Sequence, residues 1–478
     1  MFLRMLYDEK LAQASYVVAC QATGDALVID PNRNFDQYLA LVAQEGFQIT
    51  AITETHIHAD FASGAQELAE RTGAELYLSD EGDDDWKYQF AAQAGATLVH
   101  DGDTFNVGKI TFQVMHTPGH TPEHISFILT DTAVADKPMG IFSGDFVFVG
   151  DVGRPDLLET AAGVKGMMEL GARQLYQSLQ RFKELPDHLQ VWPGHGAGSA
   201  CGKALGAVPQ STVGYEKLFN WTLNVGSEAE FVKQVTAGQP EPPSYFKVMK
   251  RINKDGVPRL SSAAEPAQLA STVFQHELES GLKIVDTRSV ESYAAGHIPG
   301  TMNIPLGKSF TAWAGWLLPY DTPFALIVDE ANIERTMLDL RLIGLDEIKG
   351  YWTPDVMSSW DRGLSKIEQI TAVMAEELLR KGEITILDVR GSAEYKEGHV
   401  PGAVHIPLGY LEDRLDEVPD DKPLVIHCLS DFRSSIAASI LDAHGHAPIA
   451  NLVGGYQAWA AAGGSIERSS RKAEAVAS

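Results

Sequence analysis

Histidines and an aspartate alternate near the amino-terminal end of the chain. Residues 55–61 read Thr-His-Ile-His-Ala-Asp-Phe, which places His56, His58 and Asp60 at every second position. The apolar run at residues 49–53 predicts a strand directly before them, and this strand would deliver the three side chains to one loop at its end. Imidazole and carboxylate groups at such close spacing are typical of a site for a divalent transition metal.

Later loops contain three further candidate ligands. His120, Asp145 and His195 each follow a glycine and an apolar, strand-like run. Two ligand sets are then possible. His56, His58 and His120 would form a three-nitrogen zinc site that activates water. His56, His120 and Asp145 would form the two-histidine, one-carboxylate set of non-haem Fe(II), which leaves three coordination positions open.

These ordered motifs resemble the signature of the metallo-β-lactamase fold, His-x-His-x-Asp-His followed by a distant His, a bridging Asp and a last His. The resemblance covers roughly residues 1 to 250 and implies an αββα sandwich. One residue departs from the pattern, because Phe61 stands where the family has the final histidine of its first motif. In the family that histidine holds a second metal together with the equivalents of Asp60 and His195, so we expect the second metal position to be empty.

The segment Gly-Asp-Val-Gly-Arg-Pro-Asp at residues 150–156 is similar to that of persulfide dioxygenases, a branch of the fold with a single iron. The resemblance implies one Fe(II) per chain. Its implied ligands are His56, His120 and Asp145. The residues that would surround and orient them, or serve as alternative ligands, are His58, Asp60 and His195. Arg154 is expected to bind a substrate carboxylate, because a guanidinium pairs with it in a bidentate manner.

Beyond residue 258 the sequence repeats itself. Residues 284–288 and 386–390 both read Ile-x-Asp-x-Arg and lie 102 positions apart, as do the Gly-His-x-Pro-Gly segments at 296–300 and 398–402. A repeat of this length is a whole small domain. Its motifs resemble the rhodanese family, which implies two small doubly wound α/β domains, each with a parallel sheet.

Proline- and glycine-rich breaks near residues 238–258 place the first domain boundary there. The predicted organisation is α/β throughout: a metallo-β-lactamase sandwich followed by two rhodanese-like domains. The predicted segments are 1–258 for the dioxygenase domain, 259–365 for a rhodanese-like domain without the catalytic cysteine, 366–468 for a rhodanese domain with Cys428, and 469–478 for a tail.

Cys428 follows the strand-like run at 423–427 and opens a loop that leads into a predicted helix. Backbone N–H groups at a helix amino terminus stabilise an anion, and Arg433 would also lower the pKa of the thiol. Cys428 and Arg433 are therefore the predicted catalytic residues of sulfur transfer. The family usually has glycine where Asp431 stands. Aspartate tolerates a left-handed backbone better than most residues, but its charge would disfavour an anionic sulfur donor. The first repeat has acidic Asp329 and Glu330 at the equivalent position and no sulfur.

Cys201 lies in a glycine-rich loop six residues after His195. It is either a sulfur relay at the rim of the metal site or a small residue that fits a tight loop. The third cysteine, Cys20, ends an apolar run and is predicted to be core. Three scattered cysteines do not form a disulfide framework, which indicates a reducing compartment.

The whole chain is long and acidic. Its 478 residues predict about three domains, and its 44% apolar content is sufficient for their cores. The formal net charge of −26 argues against nucleic acid and anionic membranes as partners. No apolar run approaches ~18 residues, and Asp8 and Glu9 stand where a signal peptide is apolar. We expect a cytoplasmic homo-oligomer.

Together the two resemblances imply an enzyme of sulfide detoxification. A low-molecular-weight thiol persulfide would be oxidised with O₂ to sulfite and free thiol, and Cys428 would transfer sulfane sulfur between persulfide or thiosulfate and sulfite or thiol. One alternative is a zinc-dependent thioester hydrolase of the glyoxalase II type, against which Phe61 counts. Another is a non-catalytic sulfur carrier, against which the complete iron ligand set counts.

Overall fold

The computed structural model describes residues 1–157, 159, 166–203, 205–239, 241–260, 265–446 and 448–468. The predicted tail at 469–478 lies outside the described residues. The chain divides into two compact units. The first contains Met1–Ala263 and Leu338–Asp346, and the second contains Ala264–Met337 and Glu347–Ser478.

Two six-stranded sheets form the first unit. The strands of its first sheet are β1 (Phe2–Asp8), β2 (Gln13–Ala19), β3 (Asp25–Ile29), β4 (Gln48–Thr53), β5 (Glu75–Ser79) and β6 (Thr97–Val99), in that spatial order. The strands of its second sheet are β7 (Thr104–Val107), β8 (Ile110–His116), β9 (Ile125–Asp131), β10 (Gly140–Gly144), β11 (Gln190–Pro193) and β12 (Ser211–Thr212), again in spatial order. The sheets are mixed: β1 to β3 pair antiparallel, and β3 to β6 pair parallel.

Helices cover the outer faces of these sheets. The described helices of the first unit are α1 (Phe35–Glu45), α2 (Ala65–Thr72), α3 (Ala91–Ala94), α4 (Met167–Glu184), α5 (Val213–Phe219), α6 (Glu228–Thr236) and α7 (Phe246–Asp255). In α4 the buried Leu175, Leu179 and Phe182 recur every three or four residues, so one helix face packs against the second sheet's cluster. Between the sheets, aromatic residues such as Tyr16, Phe112, Phe127, Phe142 and Trp192 form the central core. This arrangement confirms the predicted αββα sandwich.

The second unit contains two parallel sheets. The strands of the four-stranded sheet, whose order is 14-13-15-16, are β13 (Lys283–Asp286), β14 (Met302–Asn303), β15 (Phe324–Ile327) and β16 (Ile348–Trp352). The strands of the five-stranded sheet, whose order is 17-21-20-18-19, are β17 (Glu368–Ile370), β18 (Thr385–Asp388), β19 (Val404–His405), β20 (Leu424–His427) and β21 (Ile449–Leu452). Strands β13 and β18, and likewise β14 and β19, begin 102 positions apart, so the sequence repeat is also a structural repeat.

Helices connect these parallel strands, as parallel pairing requires. In the two rhodanese-like repeats they are α8 (Phe274–Glu279), α9 (Val290–Ala295), α10 (Phe310–Leu317), α11 (Ile333–Leu342), α12 (Val356–Ser359), α13 (Ala372–Lys381), α14 (Ser392–Glu397), α15 (Phe432–Ala443) and α16 (Gly455–Ala461). Short 3₁₀ helices lie at Asp84–Trp86, Trp221–Asn224, Ser271–Val273, Glu330–Asn332, Leu408–Tyr410 and Glu412–Glu417. Among the described residues, no helix combines the length and the apolar character needed to cross a bilayer.

Candidate metal centre and sulfur-transfer loop

Strand ends of the two sheets bring His56, His120 and Asp145 together. One donor atom of each lies within 4.8 Å of the others. Asp145 Oδ2 lies 3.8 Å from His56 Nε2 and 3.5 Å from His120 Nε2. All three side chains are buried, and within the described residues neither His56 Nε2 nor Asp145 Oδ2 makes a hydrogen bond. Buried polar atoms without partners are costly, and a metal ion between them would satisfy both.

Neighbouring groups fix the ring orientation of both histidines. His120 Nδ1 lies 3.0 Å from the carbonyl oxygen of Arg154, which can only accept, so Nδ1 carries the proton and Nε2 keeps a lone pair. His56 Nδ1 lies 3.0 Å from Thr55 Oγ1, whose own proton is donated to Asp30 Oδ2 at 2.9 Å. Burial lowers the pKa of both imidazoles, which favours the neutral form that binds metals.

Asp145 is held on both its backbone and its side chain. Its backbone N–H donates to His124 Nε2 at 3.0 Å, and its Oδ1 accepts from His195 Nδ1 at 2.7 Å. Burial alone would raise the pKa of Asp145, but His195 and His120 outweigh it and hold the pKa below its ordinary value. The role of His124 is one that sequence reasoning missed, since nothing in its local motif indicates a contact with a residue 21 positions away.

His58 is not part of this group. Its Nε2 lies 3.2 Å from Asp30 Oδ1, and its ring lies beside the His56 ring at a centroid distance of 4.2 Å. Although burial lowers the pKa of His58, the Asp30 carboxylate outweighs burial and raises it to about 9. Of the two ligand sets that the sequence left open, the structure therefore gathers the two-histidine, one-carboxylate set. Asp30, which directly follows β3 and has a left-handed φ of 51°, was not among the predicted site residues.

Asp60 and His195 lie together beyond Asp145, and Cys201 joins them. One donor atom of each of the three lies within 4.8 Å of the others, and all are buried. His195 Nε2 lies 2.8 Å from Asp60 Oδ2. Burial, followed by the charges of Asp60 and Asp145, raises the pKa of the Cys201 thiol well above its ordinary value. Phe61 is buried, and the centroid of its ring lies 4.4 Å from the centroid of the His58 ring.

Arg154 is buried and engaged within the protein. Its Nε and Nη2 donate to the two carboxylate oxygens of Asp156 at 2.8 and 2.5 Å, and its Nη1 donates to the carbonyl oxygen of Ala200 at 3.2 Å. A substrate carboxylate would have to compete with Asp156 for this guanidinium. Binding of substrate by Arg154 stays a prediction, and this geometry does not favour it.

The sulfur-transfer loop lies between β20 and α15. Cys428 follows β20 directly and is buried, and Ser434 Oγ lies 3.6 Å from its Sγ. Helix α15 begins at Phe432, so the thiol lies near a helix amino terminus, as predicted. Asp431 does not have a left-handed backbone: its φ of −179° is an extended conformation that any residue adopts.

Arg433 donates from both Nη atoms to the carboxylate of Glu394 at 2.6 and 2.8 Å. Its charge is therefore partly neutralised beside the loop. Its role in sulfur transfer remains a prediction.

The first repeat packs on the helix that follows this loop. Ser439 Oγ accepts from the backbone N–H of Asn303 at 2.9 Å, and Ser435 Oγ donates to Asn303 Oδ1 at 3.2 Å. His297 Nε2 lies 3.0 Å from Asp442 Oδ2 on the same helix. The first repeat thus contacts α15 of the repeat that contains Cys428.

Comparisons with known proteins identify two kinds of domain in this chain. The family model described as the metallo-beta-lactamase superfamily matches residues 9–195, and the rhodanese-like domain model matches residues 371–462. A metallo-beta-lactamase crystal structure from Staphylococcus aureus subsp. aureus COL is 44% identical, covers 74% of this chain and 99% of its own, and superposes with a TM-score of 0.66. The chain belongs to the metallo-beta-lactamase superfamily. It combines that domain with a carboxyl-terminal rhodanese-like domain.

Two further relatives cover smaller shares of the chain. A hydroxyacylglutathione hydrolase from Rhodospirillum rubrum is 32% identical over 185 residues, which are 38% of this chain and 60% of the relative. The crystal structure of ETHE1 from Myxococcus xanthus is 29% identical, with 53% of this chain and 98% of that chain covered and a TM-score of 0.44. The chain spans about half the length of the curated relatives it matches, 53% for the first of them.

Proposed function

We propose that the metallo-beta-lactamase domain is a persulfide dioxygenase with one non-haem Fe(II), and that the rhodanese domain transfers sulfane sulfur through Cys428. The dioxygenase proposal rests on one observation. His56 Nε2, His120 Nε2 and Asp145 Oδ2 lie close together, and His58 is not part of this group. Two neutral imidazoles and one carboxylate are the donors of non-haem Fe(II) oxygenases, whereas a water-activating zinc site would call for His58.

The protonation states of these three side chains suit a ferrous ion, as do their residue types. The hydrogen bonds from Nδ1 of each histidine leave the Nε2 lone pairs available, and His195 leaves Asp145 Oδ2 unpaired. A ferrous ion held by the three residues would supply the open positions that O₂ chemistry on sulfur requires. The chain's own contribution is to keep the imidazoles neutral, to orient the carboxylate through His195 and His124, and to keep these groups away from bulk water.

The two proposed reactions share sulfite. In the first, a thiol persulfide, O₂ and water give the thiol, sulfite and two protons. In the second, Cys428 accepts the terminal sulfur of another persulfide and releases the thiol, and the Cys428 persulfide then gives that sulfur to sulfite, which yields thiosulfate and the free cysteine. The attacking form of Cys428 in this reaction is the thiolate.

Anaerobic purification followed by metal analysis and O₂ uptake tests this proposal. We expect about one iron per chain, and O₂ uptake with glutathione persulfide that produces sulfite. His56→Ala should lose both the iron and the O₂ uptake. The matched variant His116→Ala, which changes a histidine outside the ligand set, should keep both. Iron-loaded enzyme that is folded but consumes no O₂ with any thiol persulfide would contradict the proposal.

A thioester hydrolase is the second candidate, and the similarity to a hydroxyacylglutathione hydrolase favours it. In that case the same domain would bind zinc and hydrolyse a glutathione thioester with water as nucleophile. Hydrolysis of S-lactoylglutathione by the zinc-loaded chain, without O₂ uptake by the iron-loaded chain, would favour this function over the dioxygenase.

A further inference from the structure

A short segment of the first repeat belongs to the compact unit that holds the proposed iron ligands. Leu338–Asp346 groups with Met1–Ala263, whereas Ala264–Met337 and Glu347–Ser478 form the second unit. We call Leu338–Asp346 the anchor segment. It contains the end of α11 and the residues that follow this helix.

The end of α11 offers a backbone carbonyl group to the first unit. Gly344 has a left-handed φ of 72°, and the carbonyl oxygens of Leu340 and Arg341 accept hydrogen bonds from the backbone of this turn at 3.0 and 3.1 Å. This pattern is a Schellman motif, which satisfies some of the carbonyl groups that a helix leaves without partners at its end. The carbonyl oxygen of Leu342 instead accepts from the backbone N–H of Ala62 at 2.7 Å.

Ala62 lies in the metal-binding loop, residues 54–64 between β4 and α2. Its neighbours Phe61 and Ser63 are both held by Asn253 of α7, which donates to the carbonyl oxygen of the former and accepts from the N–H of the latter. The hydrogen bond from Ala62 to α11 therefore fixes the backbone group that lies between the two that α7 fixes.

The anchor segment also packs closely on α7. A side-chain carbon at Gly344 would lie 2.9 Å from Met249 Cε and 3.1 Å from Ile252 Cδ1, so the absence of a side chain allows this approach. Ile252 directly precedes Asn253 in the helix. The two supports of the metal-binding loop are thus in contact with each other.

Arg33 joins the anchor segment to the loop that follows β3. Its Nη1 donates to Asp346 Oδ1 at 2.8 Å and to the carbonyl oxygen of Arg341 at 2.9 Å. The guanidinium is buried, so the loss of its carboxylate partner would be costly, and a cation at the end of a helix is favourable. Arg33 lies three residues after Asp30, the carboxylate that holds His58.

We propose that the anchor segment is a positioning element of the metal centre, and that this is a role of the repeat without a cysteine equivalent to Cys428. The segment restrains the metal-binding loop at Ala62 and the loop after β3 at Arg33, so the groups that orient the ligands are held in place before a metal binds. The inference rests on the proposed iron site, but the restraint itself does not require the metal.

Asp346→Ala in the full-length chain tests this role, because it removes the carboxylate that pairs with Arg33. In the metal-free variant, hydrogen–deuterium exchange of residues 56–64 should be about tenfold faster than in wild type, whereas exchange of β2 should not change. Iron retention against a competing chelator should fall about 10- to 100-fold. Asp346→Asn keeps an oxygen that accepts from Arg33 and should restore most of both properties.

Gly344→Ala tests the same segment at a different contact. It places a side chain where φ is left-handed and where Met249 and Ile252 leave no room, so residues 56–64 should again exchange faster. The matched control is Gly73→Ala, because Gly73 also has a φ of 72° but has no neighbour within 4 Å of an added side-chain carbon. This control should keep wild-type exchange of residues 56–64 and wild-type iron retention.

The amide of Ala62 gives a measurement that depends on no variant. It should be strongly protected from exchange in the metal-free wild-type chain, and exchange as fast as that of an unstructured amide would overturn the proposal. Unchanged exchange and iron retention in Asp346→Ala would overturn it as well, and so would faster exchange throughout both sheets, which would show a role in stability alone. Protection of Ala62 that is lost in Asp346→Ala would support it even if the wild-type chain consumed no O₂, and only the proposed dioxygenase would then be contradicted.

Discussion

Asp431, in the sulfur-transfer loop, is expected to act through its charge and not through its backbone conformation. It precedes α15 in an extended conformation, so it relieves no left-handed strain, and only its charge distinguishes it from the glycine usual in the family. A negative charge near Cys428 repels thiosulfate, a dianion, more than a persulfide of single charge. The loop should therefore favour persulfide as the sulfur donor.

Asp431→Gly and Asp431→Asn test this electrostatic account. Both variants remove the charge, so kcat/KM with thiosulfate as donor should rise several-fold more than kcat/KM with glutathione persulfide, about a tenfold difference for each 1.4 kcal/mol of repulsion. Because an extended backbone suits any residue, the two variants should behave alike. Equal changes for the two donors would show that the Asp431 carboxylate points away from the sulfur.

His124 accepts a hydrogen bond from the backbone N–H of Asp145, a proposed iron ligand. Replacing it with alanine removes the acceptor for the Asp145 N–H, and we expect iron affinity to fall about 10- to 100-fold, as with other residues that orient ligands. His124→Gln offers an amide oxygen in a similar place and should restore part of the affinity. The measurement is iron retention against a competing chelator. Unchanged retention in His124→Ala would mean that β10 alone positions Asp145.

Among the elements, α7 positions the metal-binding loop from outside the sheets. Asn253 Nδ2 donates to the carbonyl oxygens of His58 and Phe61, both at 2.7 Å, and its Oδ1 accepts from the N–H of Ser63 at 2.9 Å. The side chain is buried. Asn253 thus closes the loop that carries His56 and Asp60.

Asn253→Ala should destabilise the first unit by about 1–3 kcal/mol, because three buried backbone groups lose their partner. The affinity for iron should fall together with the stability of this unit. Asn253→Asp separates the contributions: it keeps the acceptor for Ser63 but cannot donate, so its iron affinity should be as low as that of the alanine variant. Thermal unfolding and chelator competition would measure the two effects. Full iron affinity in Asn253→Asp would show that the two donated hydrogen bonds do not position the ligands.

The predictions from sequence were most successful where a ligand follows a strand. The run at residues 49–53 lies within β4, and the loop after it carries His56 as expected, because apolar patterning and local order determine both. The partners of these ligands were not predictable in this way. Asp30 holds His58 from 28 positions away, and Asp156 pairs with Arg154 instead of leaving it for substrate. Such contacts depend on how loops meet in three dimensions, which periodicity does not encode.

At the scale of the whole molecule, the chain joins a metallo-beta-lactamase domain to a rhodanese-like domain, and the repeat between them has no cysteine at the position equivalent to Cys428. That first repeat contacts α15 through Asn303 and His297. Under the proposed function, covalent linkage would raise the effective concentration of the sulfite that the two activities share, to an extent set by the distance between the two sites.

Cys428→Ser and His56→Ala test whether the two activities are separable and whether linkage matters. Cys428→Ser removes the attacking thiolate, so thiosulfate formation from sulfite and a persulfide should stop while persulfide-dependent O₂ uptake continues. His56→Ala should lose O₂ uptake but should still form thiosulfate when sulfite is added.

A mixture of the two variants contains every site, but sulfite must then diffuse between molecules. At dilute enzyme the mixture should therefore make thiosulfate from persulfide and O₂ more slowly than the same concentration of wild type, and added sulfite should remove the difference. Loss of O₂ uptake in a folded Cys428→Ser variant would mean that Cys428 takes part in the oxidation itself.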